Sequence, residues 1–225
     1  MIGLAQDFRL AIRCLTKKPL VSVLAILSLS LAIAGNSAVF SLVNAVLLRE
    51  LPLREPERLV DVYISLPDEP YMVFCYPEYR DFVEGTADVF ESVAASRIIF
   101  AQVDQGGDVE LALGEAVTGS FFSTLGVRAT LGRTLDARDH VSQGAHPVVV
   151  LGEAYWRRAF GADPGVIGRV VRVSGRPFTV VGVLDPSYTG SFRGIEPSLY
   201  VPIMMINQLQ PGTRDSIEER GERSK

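Results

Sequence analysis

From Pro19 to Leu48 the sequence carries no charged residue. Thirty consecutive uncharged positions, rich in Leu, Val and Ile, constrain this chain more than any other feature. About 20 apolar residues already span the hydrocarbon core of a bilayer, so this run predicts a transmembrane helix over 19–48. At 1.5 Å per residue such a helix reaches roughly 45 Å, and its excess over a ~30 Å core leaves room for a stalk. A cleaved secretory signal has an apolar core about half this long, and a buried helix of a soluble domain rarely runs this far without a charge.

The flanking charges set the expected orientation. Arg9, Arg13, Lys17 and Lys18 precede the run, against Asp7 alone, while Arg49, Arg54 and Arg58 follow it. The larger basic excess before the span predicts a cytoplasmic N-terminus, with the remainder outside. Residues 1–18 form the first expected segment. Leu4, Phe8, Ala11, Ile12 and Leu15 recur at helical spacing, so this stretch reads as an amphipathic helix at the cytoplasmic membrane surface. After residue 48 the chain holds 18 Lys and Arg against 25 Asp and Glu. A basic tip and an acidic body exclude the concentrated basic face that nucleic acid requires. Cys14 and Cys75 flank the span, so they are expected on opposite sides of the bilayer and unable to form a disulfide.

Within the span, Ser28, Ala32 and Asn36 recur every four residues beside Gly35. A small-residue face lets a second helix approach closely, and an amide in lipid gains a partner there. Helix–helix contact is expected through Ser28, Ala32, Gly35 and Asn36.

The remainder reads as an α+β domain over 56–225, entered through the proline-bounded linker 51–56. Strands are expected at 58–64, 92–103, 109–117, 147–151, 168–173 and 178–183, with helices from Pro77 to about Val83, over 120–125 and over 153–160. Gln105-Gly106-Gly107-Asp108 and Ser174-Gly175-Arg176 read as hairpin turns. Gly126 and Gly161 read as helix-closing residues. Residues 130–145 read as loop, and regularity fades after Pro186. The β-α-β-β order occurs twice, and the sheets are expected to be mixed or antiparallel.

No catalytic, cofactor-binding or metal-ligating set emerges. The phosphate cradle G-x-x-x-x-G-K-[ST], any G-x-G and the nucleophile motif G-x-S-x-G are all missing from the sequence. Ser120 reads as a helix N-cap. His140 and His146 share a polar loop with Asp136 and Asp139, but at spacings that match no metal site. Asp104 and Asp108 read as turn residues. Tyr155, Trp156 and Phe160 read as core residues, with Arg157 and Arg158 facing solvent or a partner. The expectation is a protein that is not an enzyme.

In this order the residues resemble a known family. The resemblance begins with Asp7-Phe8-Arg9-Leu10-Ala11-Ile12-Arg13 and continues through Ala34-Gly35-Asn36-Ser37-Ala38-Val39-Phe40 and on to Arg49. It includes Pro56-Glu57-Arg58-Leu59-Val60, Leu131-Gly132-Arg133, Trp156-Arg157-Arg158-Ala159-Phe160-Gly161 and Gly175-Arg176-Pro177-Phe178-Thr179-Val180-Val181-Gly182-Val183. Together these are similar to ABC-transporter permeases with a MacB-like periplasmic core domain, in the acidobacterial duplicated orphan permease branch of the FtsX-like superfamily. The resemblance implies a subunit of the cytoplasmic (inner) membrane that works with a separate ATPase and further permease helices. It implies a core domain outside the membrane, mechanical coupling and export. Such permeases carry four or more spans, whereas one is legible here. A fragment, or a chain completed by a second polypeptide, is therefore expected, with an unpaired sheet edge where the core domain stops. The alternative is a single-pass anchored domain that binds or scaffolds a partner without transport.

Overall fold

The computed structural model describes residues 19–43, 53, 55–65, 71–104, 107, 109–192 and 194–210. The amphipathic stretch 1–18, Cys14, the last residues of the expected span and the charged run 217–225 lie outside the described residues, as do Gln105, Gly106 and Asp108 of the first hairpin turn. The chain divides into two compact units, 1–50 and 51–225, and each is described by itself.

The first unit contains helix α1, Pro19–Val43. Pro19 stands at its first position, where a missing N–H costs nothing because that donor has no helical partner anyway. Its 25 residues extend about 37 Å, longer than a ~30 Å hydrocarbon core. Its apolar side chains are exposed from Leu20 to Phe40, with Leu20 at 74%, Leu31 at 76% and Phe40 at 65%. No face of the helix is reserved for a protein core, which distinguishes it from the amphipathic helices of soluble domains.

The second unit is an α+β domain built on one mixed sheet. It opens with a 3₁₀ turn at Pro56–Arg58 and an isolated bridge between Ile64 and Met72. Helix α2, Tyr76–Gly85, carries Pro77 in its first turn and is capped where Glu78 accepts from the Cys75 amide at 3.1 Å. Strands β1, Ser96–Asp104, and β2, Val109–Val117, pair antiparallel from Ser96 opposite Val117 to Asp104 opposite Val109. Helix α3, Phe121–Leu125, ends at Gly126 with φ 70°. Strand β3, Ala129–Gly132, follows, then a 3₁₀ turn at Ala137–His140 and strand β4, Val148–Leu151. Helix α4, Glu153–Phe160, closes at Gly161 with φ 60°. Strands β5, Val170–Val173, and β6, Arg176–Leu184, flank Ser174 and Gly175, both at positive φ. That pair of left-handed residues is what a two-residue hairpin turn demands. Strand β7, Leu199–Pro202, and the short helix α5, Ile206–Leu209, complete the domain.

The strand order is β3-β6-β4-β7-β2-β1-β5, with β5 also bonded to β6. Strand β5 therefore pairs on one side with β6, Val170 opposite Thr179 to Val173 opposite Arg176, and on the other with β1 at Val103–Val173 and Asp104–Arg172. The strands close into a ring, with β3 attached outside it along the second half of β6. Closure is local: β1 meets β5 only at Val103 and Asp104, and β2 meets β7 only from Gly114 to Val117. Among the described residues, 96–101 of β1 and 109–112 of β2 keep one edge without a strand partner, as does β3, and such edges can template aggregation.

Two apolar clusters lie on opposite faces of the sheet. The first contains Ile99, Ala101, Val103, Val149, Leu151, Trp156, Val171, Phe178, Val180, Leu199 and Val201. The second contains Val117, Phe121, Phe122, Leu135, Val150, Leu184, Tyr188 and Tyr200. Strands β4 and β7 send alternate residues to both, so they read as unbroken apolar runs rather than alternating ones. Strand β3 lies against β6 at a glycine pair. A Cβ at Gly132 would stand 2.2 Å from the Val181 oxygen, and one at Gly182 would stand 2.0 Å from the Arg133 oxygen.

Three local expectations are corrected. Residues 58–64 form no strand: most are exposed, and a single bridge at Ile64 is all the pairing they make. The expected loop 130–145 includes most of β3 and a 3₁₀ turn. The segment after Pro186 regains order at β7, which holds the middle of the sheet between β4 and β2.

Candidate functional site

In α1, Ser28, Ala32, Gly35 and Asn36 are all exposed, and a Cβ placed on Gly35 meets nothing within 4 Å. The spacing places them along one stripe, since residues four apart are neighbours on a helix. A second helix could approach the backbone closely here and offer the Asn36 amide a hydrogen bond. This stripe is the candidate contact face read from the sequence.

In the domain, the polar residues singled out in the sequence serve structure. Asp139 is 3% exposed and accepts from Arg133 at 2.6 and 2.9 Å, a bidentate pair that also takes the Asp136 amide at 3.0 Å. Asp136 pairs with Arg138 at 2.6 Å, which holds its carboxyl down at about 2. His140 Nε2 lies 2.8 Å from the Tyr76 hydroxyl, and its other ring nitrogen is buried without a hydrogen-bond partner; burial lowers its pKa. The two aspartates thus belong to arginines and His140 to a tyrosine. Among the described residues no group of three His, Cys, Asp or Glu could hold a metal.

Ser120 stands at the N-cap position of α3 but makes no side-chain cap. Its hydroxyl donates to the Val93 carbonyl at 2.7 Å and so anchors the segment leading into β1. Tyr155 and Trp156 are buried in the first cluster, and the Trp156 indole donates to the Asp163 carbonyl at 2.9 Å. Arg157 pairs with Glu153, and Arg158 pairs with Glu110 at 2.7 Å. The Arg157 pair lies within α4 and the Arg158 pair ties α4 to β2, at a small gain each.

One group escaped the sequence reading. Glu115 of β2 is fully buried. It shares the sheet face of Val117 and lies opposite Tyr200 of β7 in the parallel register. Ser191 donates to its Oε1 at 2.6 Å, while Oε2 has no hydrogen-bond partner. The signal was available: Leu111, Leu113, Glu115 and Val117 alternate onto one face, where a lone carboxylate among apolar residues is out of place.

The pattern of a fully apolar helix followed by a mixed-sheet domain has known relatives. The family model of the MacB-like periplasmic core domain matches residues 22–220. The chain belongs to that family. It carries the MacB-like periplasmic domain of an ABC-transporter permease family, a transporter component rather than a classical enzyme, as the MacB-like resemblance of the sequence implied. Within this family, the N-terminal apolar helix marks a membrane-anchored protein with an extracytoplasmic domain. The macrolide export ATP-binding/permease protein MacB of Aggregatibacter actinomycetemcomitans is 34% identical over 95 residues, which is 42% of this chain and 14% of that protein. The chain therefore aligns with a small part of that relative's length. The periplasmic region of MacB from Actinobacillus actinomycetemcomitans superposes with a TM-score of 0.51 at 19% identity, covering 68% of this chain and 66% of that one. The extracellular domain of the ABC-type transporter YknZ from Gram-positive bacteria gives a TM-score of 0.47 at 19% identity, over 58% of this chain and 64% of that one. The α+β fold expected from the sequence is the fold of the MacB periplasmic region.

Proposed function

We propose that this chain is a permease-side component of a MacB-like ABC transporter, in which 19–48 spans the cytoplasmic membrane, 1–18 lies on its cytoplasmic side and 56–225 stands outside. In this reading a separate ATPase works inside, and helix movement relays its cycle to the outer domain for export. The observation that carries it is the extent of the family match: one continuous stretch, 22–220, runs from within the apolar helix through the sheet domain. The long uncharged helix supports it, because relaying motion across a bilayer needs a stiff element that can pack in two arrangements. The exposed stripe at Ser28, Ala32, Gly35 and Asn36 is where further permease helices would seat.

The test has two arms. For topology, a cysteine placed at exposed Val141 reacts with a membrane-impermeant maleimide from the outside of spheroplasts, while Cys14 reacts only after permeabilisation. The reverse pattern overturns the orientation. For function, mild-detergent purification of the full chain from its native host recovers an ABC ATPase by mass spectrometry. A clean preparation with the correct topology and no ATPase leaves the anchored binding or scaffold domain as the surviving reading.

A further inference from the structure

Residues 58–64 alternate as a strand does, yet the structure gives them one bridge and no neighbouring strand. Ile64 exchanges both backbone bonds with Met72, at 2.9 Å each. In an antiparallel ladder successive residues face alternate edges, so the N–H and C=O groups of Asp61 and Tyr63 face away from Met72. Among the described residues no backbone group bonds to them.

The side chains at this edge are large and uncovered. Tyr71 is 78% exposed and Val73 77%, and Val60, Val62 and Tyr63 are exposed beside them. Tyr63 and Tyr71 meet edge to face, with ring centroids 5.8 Å apart. Asp61 stands two residues from Tyr63, on the same face of an extended chain. Among the described residues no cation pairs with Asp61 or with exposed Glu57. The neighbouring Arg58 is held elsewhere, by Glu55 at 2.8 Å and Glu91 at 3.2 Å.

We propose that 60–63 is a docking edge for a partner protein, which adds an extended segment carrying Lys or Arg opposite Asp61 and an apolar residue opposite Tyr63. Charge selects this occupant. A base opposite Asp61 gains an ion pair across the strands and comes within reach of the exposed tyrosine faces, which attract a cation. Anionic headgroups are repelled by Asp61 and Glu57. A second copy brings the same two acids, and the acidic balance after residue 48 sets the domain against itself. Backbone bonds at Asp61 and Tyr63 supply affinity, and the alternate side chains supply selectivity. The edge belongs to the domain alone and does not rest on the transporter reading.

Two peptides probe the edge of the full chain in zwitterionic detergent micelles: acetyl-Thr-Tyr-Val-Lys-Val-Tyr-Thr-amide, and its twin with Glu in place of Lys. Residue-resolved hydrogen exchange should show the Lys probe slowing the Asp61 and Tyr63 amides and leaving Val62, which faces the other way. The Lys probe should bind about two- to thirtyfold more tightly than the Glu probe. Asp61→Lys, a surface change that leaves the fold intact, should reverse that order. No binding, equal binding of the two probes, uniform protection across 60–63, or an unreversed order in Asp61→Lys overturns the proposal. Protection of the same amides without a probe also overturns it: on transfer to phosphatidylglycerol liposomes the occupant is lipid, and on raising the chain concentration it is a second copy. Photocrosslinking from position 73 in the native host should then give an adduct that maps to a segment with Lys or Arg between apolar residues. An adduct to a segment without a base, or no adduct, overturns the proposal as well.

Discussion

Helix α1 and strand β4 are both uncharged apolar runs, and they meet opposite fates. The helix exposes its leucines and valines from Leu20 to Val39, while Val149, Val150 and Leu151 of β4 are completely covered. Composition does not separate them. Length and punctuation do: 25 residues without a break are enough to cross hydrocarbon, whereas four residues between Pro147 and Gly152 can only be sheathed by their own domain. One run is long enough to take lipid as its solvent, the other has the rest of the protein.

Several substitutions should break or sharpen that contrast. The largest effect is expected inside the domain. Phe122→Ala empties the aromatic centre of the second cluster and should cost about 3–5 kcal/mol in chemical denaturation of the full chain in detergent. Leu27→Ala in α1 should leave the same transition within about 0.5 kcal/mol, because no domain packing is lost. Next is Leu27→Asp, which adds about 2.5–3.5 kcal/mol to membrane insertion near the centre of the span. The chain should then partition into the alkaline carbonate supernatant, and a pellet unchanged from wild type would show that α1 has a protein rather than a lipid environment. Third is Arg133→Met, which strips buried Asp139 of its bidentate partner. A loss of about 1.5–3 kcal/mol is expected from urea midpoints, with the helix unaffected.

Asn36→Leu reverses the logic, since it should leave the domain unchanged and weaken helix association by about 0.6–1.7 kcal/mol, read by energy transfer between labelled chains in liposomes. The smallest effect is a pH dependence at His140. Burial lowers its pKa below 6.5, so the folded state binds the proton less readily than the unfolded one. Stability is then complete above 6.5 and falls as pH drops below it toward the folded-state value. Melting curves at descending pH should show this decline in the wild type and a shallower one in His140→Gln.

Much of the architecture was legible because its turns are chemically explicit. The β5–β6 hairpin announces itself at Ser174-Gly175, and the end of α4 at Gly161, since those positions need left-handed backbone. Strands β3 and β7 were hidden for different reasons. Strand β3 is four residues at the sheet's margin, held by a backbone approach between Gly132 and Gly182 that no side-chain pattern advertises. Strand β7 is central but equally short, is buried on both faces and follows the long 185–198 segment. The false strand at 58–64 alternates convincingly, yet finds no neighbour to pair with beyond one bridge. Local pattern proposes a strand; only a partner completes it. For the helix face, spacing alone located Ser28, Ala32, Gly35 and Asn36. Glu115 went unnoticed because its meaning depends on Tyr188 and Ser191, more than seventy positions away in the chain.

The ring of strands has a mechanical consequence. A sheet with free margins yields to tension by peeling, one hydrogen bond after another. With β5 bonded to both β1 and β6, a pull on the β5–β6 hairpin meets hydrogen bonds on both flanks of β5, and the load is shared between them.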